Sequence, residues 1–319
     1  MMHQLIRDYF VPAFDLKSMN DSAVIDSVPQ GKLALTTDSY VISPYFFPGG
    51  DIGILAVCGT VNDLAMAGAR PLYLTSGFII EEGFPLEHLK KILLSMQRIS
   101  KEIGVKIIAG DTKVVERGKG DGIFINTAGV GFIEEETDSS PRNIRPGDKI
   151  ILSGTIGNHG MSVMALRSGI SFEPQLLSDV RPLNGLVDVM LRETKKIRVM
   201  RDPTRGGLAT TLKEFANESG CCIIIEEKAI QVMPGVRGAC ELLGLDPLYV
   251  ANEGILVAVV DRDVAEVLLE RMKSTEPGAD AAIIGEVVEA PRQMVLFKTA
   301  IGGSRIIDML SGEQLPRIC

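Results

Sequence analysis

The sequence contains no tryptophan, only three histidines, and five cysteines that lack C-x-x-C spacing. Structural zinc sites use paired cysteines or cysteine–histidine sets, and disulfide frameworks use an even, regular set of cysteines. The composition therefore disfavours a zinc site, a histidine-rich metal centre and a disulfide scaffold. Positive charge is also scarce, because the formal net charge is −8. A phosphate backbone would be repelled, so nucleic acid is a poor candidate partner.

Long apolar runs and common nucleotide motifs are missing as well. The apolar runs are short and broken by charges, and "MMHQLIRDYF" has neither a hydrophobic signal core nor a cleavage site. We therefore expect a cytoplasmic protein. "GKL" at 31–33 and "GKG" at 118–120 lack the upstream glycine and the following Ser/Thr of a P-loop, and no G-x-G-x-x-G follows a strand. A nucleotide site would need another design.

What is present is the pattern of a globular α/β protein. At 319 residues, with 45% apolar and 23% charged residues, the chain has the length of two ordinary domains. "LEHLKKILLSMQRISKEIG" has helical spacing and ends on glycine, and "DIGILAVCGTVNDLAMAG" also indicates a helix. Short β-branched runs, among them "VKIIAG", "GIFINTAGVGFI" and "KIILSG", predict strands between them.

A polar segment marks the predicted boundary between two domains. "EEETDSSPRNIRPGDK", between Glu134 and Lys149, carries two prolines and a glycine, and the α/β alternation resumes after it. We predict domains at 1–147 and 148–302 and a flexible tail at 303–319. In the second half, helices are expected near 159–168, 183–196, 207–218, 235–243 and 262–273, and strands near 222–226, 254–260 and 281–287.

Four aspartates of the first half stand where predicted elements begin or end. Asp38 follows the strand "LALTT", Asp51 precedes a helix, Asp63 lies in "VNDLAMAGA", and Asp111 lies in "AGDTK". Such hard oxygen ligands bind Mg²⁺, which bridges polyphosphate oxygens in phosphoryl transfer. Each could equally be a turn former or a helix cap, and Asp51 most of all. Lys113 should share a face with Asp111, either to contact a phosphate and move protons or as a surface ion pair.

The second half offers weaker candidates. "RDPTRGGLATTLKEFA" places Arg205, Gly206 and Gly207 immediately before a helix, where backbone amides and a guanidinium can attract a phosphate. A helix start by itself needs no ligand, so this pattern alone leaves both interpretations open. "YVANEGILVAVV" sets Glu253 at a turn into a strand, and its position alone assigns it no role.

The final residue, Cys319, is a thiol on a segment with little capacity to fold. Cys58 and Cys240 sit among apolar neighbours and are expected to be inert core thiols. Cys319 cannot be a prenylation site, because that signal places the cysteine four residues from the end. A redox role would leave it without a nearby resolving cysteine. A third hypothesis is that a flexible arm carries a group bound to the thiol into an active site.

At this point a family resemblance becomes specific. "TTDSYVISPYFFPGGDIGILAVCGTVNDLAMAGARPLYLTSGFIIEEG", "GDTKVV", "SGTIGNHG", "RDPTRGGLAT", "LGLDPLYVANEG", "AAIIGEV" and the terminal "PRIC" together resemble the HypE family of hydrogenase maturation factors, from about residue 30 to the end. The resemblance implies a two-domain α/β fold of the PurM-like (AIR synthase-related) superfamily. It also implies a homodimer formed through the first domain, and ATP with Mg²⁺ in a cleft between the two domains near the dimer interface.

The resemblance also implies a reaction and its partners. The terminal thiol would receive a carbamoyl group from a HypF-like carbamoyltransferase, and ATP-dependent dehydration would convert that group to a thiocyanate. The cyano group would pass to iron on a HypC–HypD-like complex, as a ligand of [NiFe]-hydrogenase. Members usually carry a glycine-rich segment of the kind "HGSGG" near their start. The printed sequence begins without it, which implies weaker ATP binding.

Residue roles follow from the same resemblance. Cys319 would be the carrier, with Lys113 and Glu253 orienting or deprotonating the thiocarboxamide. The implied metal ligands are Asp38, Asp63 and Asp111, and the implied cofactor-binding residues are Asp38, Asp51, Asn62, Asp63, Asp111, Thr112, Arg205, Gly206 and Gly207. Two alternatives stay open: an enzyme that uses ATP on a free small molecule, and a nucleotide-binding carrier or scaffold that presents Cys319.

Overall fold

The computed structural model describes residues 9–14, 25, 31–133, 138–310, 312 and 318–319. The helices are α1 Val11–Phe14, α2 Ile52–Met66, α3 Leu86–Ile103, α4 Asn158–Arg167, α5 Asn184–Glu193, α6 Gly207–Ser219, α7 Pro234–Leu243 and α8 Ala265–Lys273. The strands are β1 Lys32–Tyr40, β2 Phe46–Phe47, β3 Gly50–Asp51, β4 Arg70–Glu81, β5 Lys106–Val115, β6 Ile123–Ile133, β7 Lys149–Leu152, β8 Ile197–Arg201, β9 Cys222–Glu226, β10 Val257–Val260, β11 Ala282–Val288, β12 Met294–Lys298 and β13 Ser304–Ile307.

The first half is a four-stranded sheet with helices on one face. The strand order is β1-β6-β4-β5, and only the β4–β5 pair is parallel. Helix α2 packs on β1 and β6, and α3 packs against α2. Because α2 lies between the sheet and other helices, nearly all its residues are buried, which explains why it is apolar on all sides. The opposite face of this sheet has no cover within the described part of the chain.

The second half is a seven-stranded mixed sheet with two apolar cores, one on each face. Its order is β13-β12-β9-β11-β7-β10-β8. Along β10, Val257 and Val259 join the core under α6, whereas Ala258 and Val260 join the core under α5 and α8. Alternate side chains of a strand point to opposite faces, so a strand covered on both sides is apolar throughout.

Most elements expected from the sequence are confirmed within a few residues. The five helices expected in the second half correspond to α4–α8, and the three strands to β9, β10 and β11. The predicted tail needs a correction, because Ser304–Ile307 forms β13 on β12 and Ile307 is buried. Residues 313–317 of that tail lie outside the described residues. None of the described helices combines the length and apolarity needed to cross a membrane.

Candidate functional site

The two halves meet along α2, where a buried amide joins them. The Asn62 side chain donates to the carbonyl of Arg181 at 3.1 Å and of Glu253 at 3.4 Å, and it accepts from the amide of Leu183 at 2.8 Å. Asn62 is fully buried. Its structural role in this conformation is to connect the halves, and its predicted contact with a nucleotide stays a prediction.

Four carboxyl groups from both halves converge beside this junction, and we call Asp38, Asp63, Asp202 and Glu253 the acidic cluster. Asp38 lies on β1, Asp63 near the end of α2, Asp202 directly after β8, and Glu253 in the turn before β10. Each of the other three acts electrostatically on Glu253. The hydroxyl of Thr36 donates to Asp63 at 2.7 Å. The sheet of each domain therefore contributes acids to one cleft.

Burial and mutual repulsion favour the protonated form of three members of this cluster, Asp63, Asp202 and Glu253. Burial, followed by the charge of Asp202, raises the pKa of Glu253 well above its usual range. Burial and then Asp63 raise the pKa of Asp202 to about 7. Burial also raises the pKa of Asp63. One oxygen of Glu253, Oε1, is buried and has no hydrogen-bond partner in the structure. Such an atom is costly unless a ligand completes its bonding.

The turn that carries Glu253 is built from buried hydrogen bonds. Asn252 accepts from the amide of Gly157 at 2.6 Å and donates to the carbonyl of Pro203 at 2.9 Å. The Asp179 carboxyl accepts from the amide of Gly254 at 3.0 Å and from that of Glu253 at 3.3 Å. A Cβ on Gly254 would collide with the backbone of Asp179, which is why glycine is needed there. These bonds fix the backbone from which the Glu253 side chain projects.

The end of the chain enters the same cleft. Ile318 is buried in the core of the first half, and Cys319 packs beside it. The amide of Val41 donates to a terminal oxygen of Cys319 at 3.0 Å. Burial first, and then the charge of Glu253, raise the pKa of the Cys319 thiol to about 12, while Arg205 donates a hydrogen bond to the sulfur. The thiol is therefore protonated at neutral pH and lies beside Arg205, Glu253 and Asp38.

Arg205 and the two glycines form the start of α6 as the sequence predicts. Gly206 has φ 76° and Gly207 has φ 62°, a backbone region that favours glycine. A Cβ on Gly207 would collide with carbonyls of residues 248 and 250. Gly206 gives the helix no side-chain cap. In this conformation Arg205 contacts the terminal thiol, and the predicted phosphate contact of the three residues stays a prediction.

Asp51 behaves as the helix cap that its position allowed. One oxygen, Oδ1, accepts from the amides of Gly53 at 2.7 Å and Ile54 at 3.1 Å, and from the hydroxyl of Ser95 at 2.7 Å. These bonds join the start of α2 to α3. Such a cap typically contributes about 1 kcal/mol to stability. Asp51 is buried outside the acidic cluster, so the structure explains it without a nucleotide.

Asp111, Thr112 and Lys113 do not join the acidic cluster of their own chain, contrary to the predicted three-carboxylate metal site. Asp38 lies on the edge strand β1, and Asp111 lies on the opposite edge, β5. Three strand spacings, about 14 Å, separate these edges. Asp111 pairs with Gly77, which in turn pairs with exposed Asn126, so Asp111 lies on the face of the sheet away from the helices. Asp38 pairs with buried Thr127 and therefore lies on the face that the helices cover. Asp111 and Lys113 form an exposed ion pair at 3.3 Å.

A metal ion bound in this cleft would therefore have to be held by carboxyl groups of the acidic cluster. Among the residues that the structure describes, no three His, Cys, Asp or Glu side chains are grouped as a complete metal site. Asp38 and Asp63 offer the carboxylate oxygens that suit Mg²⁺, and the unpaired Oε1 of Glu253 lies in the same cluster. Mg²⁺ usually takes one or two carboxylates and completes its shell with phosphate and water oxygens. The residues present fit a magnesium–nucleotide complex better than a protein-only site.

Sequence reasoning missed Asp202, Asp179 and His159. Asp202 lies in "RDPTRGG" and His159 in "SGTIGNHG", so both stood inside motifs that had already been singled out. Nothing local marks Asp179, whose role depends on a contact with residues 253 and 254. All three are buried polar groups, and burial is a tertiary property that local spacing does not reveal. Cys58 and Cys240 are buried core thiols, as expected.

Comparison with known proteins agrees with this architecture. Residues 19–133 match the model of the AIR synthase related protein N-terminal domain, and residues 145–298 match that of the C-terminal domain. The chain is 54% identical to "Carbamoyl dehydratase HypE" of Azotobacter vinelandii, over 100% of this chain and 94% of that protein.

Solved structures show the same similarity. A crystal structure of hydrogenase maturation protein HypE in complex with ATP is 47% identical, with a TM-score of 0.96 over 100% of this chain and 96% of that chain. A HypE chain from a HypE–HypF complex is 52% identical, with a TM-score of 0.85 over 96% of this chain and 99% of that chain. With this identity along its whole length, the chain belongs to the HypE carbamoyl dehydratase family of AIR synthase-related proteins.

Proposed function

We propose that this protein is an ATP-dependent dehydratase that acts on a carbamoyl group carried by its own Cys319. The observation that carries the proposal is the position of the terminal thiol, inside the cleft and beside Glu253 and Arg205. The 54% identical relative is named a carbamoyl dehydratase, and a 47% identical structure is a complex with ATP. Both support the same activity here.

The proposed chemistry balances without an oxidant or reductant. The carbamoyl oxygen on Cys–S–C(=O)–NH₂ attacks the γ-phosphorus of ATP, ADP leaves, and an O-phosphorylated imidate forms as one nitrogen proton is removed. Loss of the second nitrogen proton then breaks the C–O bond, releases phosphate and leaves Cys–S–C≡N. An amide oxygen is a poor leaving group and phosphate is a good one, which explains the need for ATP. A buried site protects the activated intermediate from hydrolysis.

Within this proposal the acidic cluster binds the nucleotide as a magnesium complex. Mg²⁺ supplies positive charge that offsets the polyphosphate charge during phosphoryl transfer. Asp38 and Asp63 would hold it, and Glu253 would accept a nitrogen proton from the carbamoyl group. A neutral Glu253 must lose its own proton first, and a nearby cation favours that ionised form.

The partners follow from the proposed reaction. A carbamoyl donor enzyme must reach Cys319, so the end of the chain must leave the cleft, and the 52% identical HypE–HypF complex supports a HypF-like carbamoyltransferase in this role. The cyano group would then pass to iron on a HypC–HypD-like complex. A cytoplasmic location is consistent with these partners and stays a prediction.

The test follows the oxygen atom. Protein carrying an ¹⁸O-labelled carbamoyl group on Cys319 is given ATP and Mg²⁺, and the C-terminal peptide is analysed by mass spectrometry. We expect the peptide to lose two hydrogens and its ¹⁸O atom, the mass of one labelled water, and the released phosphate to carry the label. Unlabelled phosphate with an unchanged peptide would identify simple ATP hydrolysis and contradict the proposal.

A homodimer is part of the proposal, because one face of the first sheet exposes apolar side chains that none of the described residues cover. Leu33, Leu35 and Ile79 are 52%, 77% and 45% exposed on strands β1 and β4. Exposed apolar patches on this scale mark interaction surfaces. Asp111 and Lys113 lie on the same face, so a second copy of the chain would approach them. Asp111 and Lys113 can therefore contribute to a nucleotide site only if the second copy of the chain supplies the rest of that site.

We expect Leu35→Glu to convert the dimer to a monomer in sedimentation velocity experiments, because a charge would be buried in the interface. Leu242→Glu is the matched control, since Leu242 is 69% exposed on α7, far from the first sheet. The control should remain dimeric. A Leu35→Glu protein that stays dimeric, or a monomeric wild type, would rule out this face as the interface.

A further inference from the structure

The last two residues are held in the cleft by a small set of contacts, and we call Ile318 and Cys319 in this arrangement the docked tail. The Ile318 side chain is 5% exposed within the first core. One backbone hydrogen bond joins Val41 to Cys319 at 3.0 Å. The third contact comes from the second half, where Nε2 of His159 lies 2.7 Å from the carbonyl oxygen of Ile318. His159 is fully buried near the start of α4.

Neighbouring hydrogen bonds determine which ring nitrogen of His159 carries the proton. The Ser178 hydroxyl oxygen accepts from the amide of Val180 at 3.1 Å, and it lies 2.8 Å from Nδ1 of His159. The carbonyl oxygen of Ile318 can only accept, so Nε2 carries the hydrogen that points at it. In this neutral tautomer Nδ1 is an acceptor, and the Ser178 hydroxyl donates to it.

The surroundings of His159 favour this neutral form. Burial lowers the pKa of His159 to about 4, with a further lowering by Arg167. The Phe47 ring meets the imidazole edge-on at 5.3 Å between centroids, which leaves little room for another orientation. Ser178 and Phe47 thus hold the imidazole in the orientation that the contact with Ile318 requires.

We propose that His159, supported by Ser178, is a positioning residue whose Nε2–H binds the carbonyl of Ile318 and thereby places the Cys319 sulfur beside Glu253 and Arg205. A buried carbonyl without a partner would disfavour the docked tail. A single neutral hydrogen bond is specific in direction, yet weak enough to be broken when the tail withdraws. The consequence for catalysis rests on the proposed function, whereas docking itself can be measured without it.

The decisive variants differ only in the donor. His159→Phe keeps a ring of similar size and removes the N–H, whereas His159→Gln retains an amide N–H. Ser178→Ala leaves the imidazole in place but removes the hydroxyl that orientates it. His88→Phe is the matched control, because His88 also bonds through Nδ1, to Tyr45 at 2.8 Å, but lies on α3 away from the tail. Thermal melting verifies that each variant is folded.

The first measurement is the rate at which N-ethylmaleimide labels Cys319 in the nucleotide-free protein, read from the C-terminal peptide by mass spectrometry. We expect His159→Phe to raise this rate about tenfold, the effect of one lost hydrogen bond. Ser178→Ala should raise it less, and His159→Gln and His88→Phe should stay near the wild-type rate. A folded His159→Phe protein, or a folded Ser178→Ala protein if the former does not fold, with unchanged labelling would overturn the proposal.

The second measurement is single-turnover dehydration of carbamoylated protein. His159→Phe should dehydrate about tenfold more slowly, with rescue in His159→Gln, while carbamoyl transfer onto Cys319 is not slowed. Faster labelling with an unchanged dehydration rate would overturn the positioning role. A wild type that labels slowly but never dehydrates would refute the proposed function alone, and the labelling comparison would still decide the role of His159.

Discussion

Replacing Cys319 with serine is expected to abolish ATP-driven dehydration completely while leaving nucleotide binding nearly unchanged. The proposed substrate is bound covalently to this one sulfur, so its removal deletes the substrate and leaves the acidic cluster intact. The raised pKa of the buried thiol does not conflict with this role, because the proposal places carbamoylation after the tail has left the cleft. Phosphate release and the mass of the C-terminal peptide would be measured after incubation with the carbamoyl donor enzyme and ATP.

The same variant separates the proposed function from its alternatives. An enzyme acting on a free small molecule would keep its full rate in Cys319→Ser, and a noncatalytic carrier would show no peptide mass loss even in the wild type. Cys221→Ser is the matched control, since Cys221 is also a half-buried free thiol but lies immediately before β9. It should retain wild-type turnover. Loss of activity in both variants would indicate a general sensitivity to thiol replacement.

The spacing of apolar residues and the capping residues predicted most helices and strands and part of the site. The helix over Leu86–Ile103 is amphipathic and ends at Gly104 with φ 80°, so both its spacing and its stop signal were available from the sequence. Asp51 before an apolar helix indicated a cap, which the structure confirms. The terminal position of Cys319 suggested a carrier arm, and the resemblance to HypE proteins favoured that hypothesis and gave Glu253 a role that its spacing could not assign.

Residue spacing along the chain could not predict which of these side chains meet in the folded protein. Asp38 and Asp111 both follow strand patterns, yet they lie on opposite edges and opposite faces of one sheet. Strand order and register decide this, and both depend on contacts between distant segments. The same holds for Asp202, which looks like a turn residue before Pro203 but is buried against Asp63 and Glu253. The segment predicted as tail contains β13 because β12 offers it an edge.

Glu253→Gln is the second variant with a large expected effect. Glutamine has nearly the same shape but cannot accept a proton, so dehydration of carbamoylated protein should fall by roughly 10²–10⁴-fold, the usual contribution of a general base. Carbamoyl transfer to Cys319 should continue, because it takes place outside the cleft. The rate of the wild type should rise with pH as Glu253 ionises, and the residual rate of the variant should lose that dependence. Glu218→Gln, on the exposed side of α6, is the control and should be neutral.

The stability of the protein provides an independent check on the role of Glu253. Raising the pH should increase the dehydration rate but decrease the stability of the wild type. The folded pKa of Glu253 is raised above its unfolded value, so the unfolded chain gives up this proton at lower pH than the native one. The native state then binds more protons, and stability falls as pH rises from the ordinary range of a glutamate towards the raised folded pKa of Glu253. Glu253→Gln removes this contribution, so its melting temperature should decrease less across that range. A variant that is slow in dehydration but more stable at high pH would show that a buried acid is retained for chemistry. Equal pH slopes in both proteins would mean that Glu253 is ionised in the cleft without a ligand.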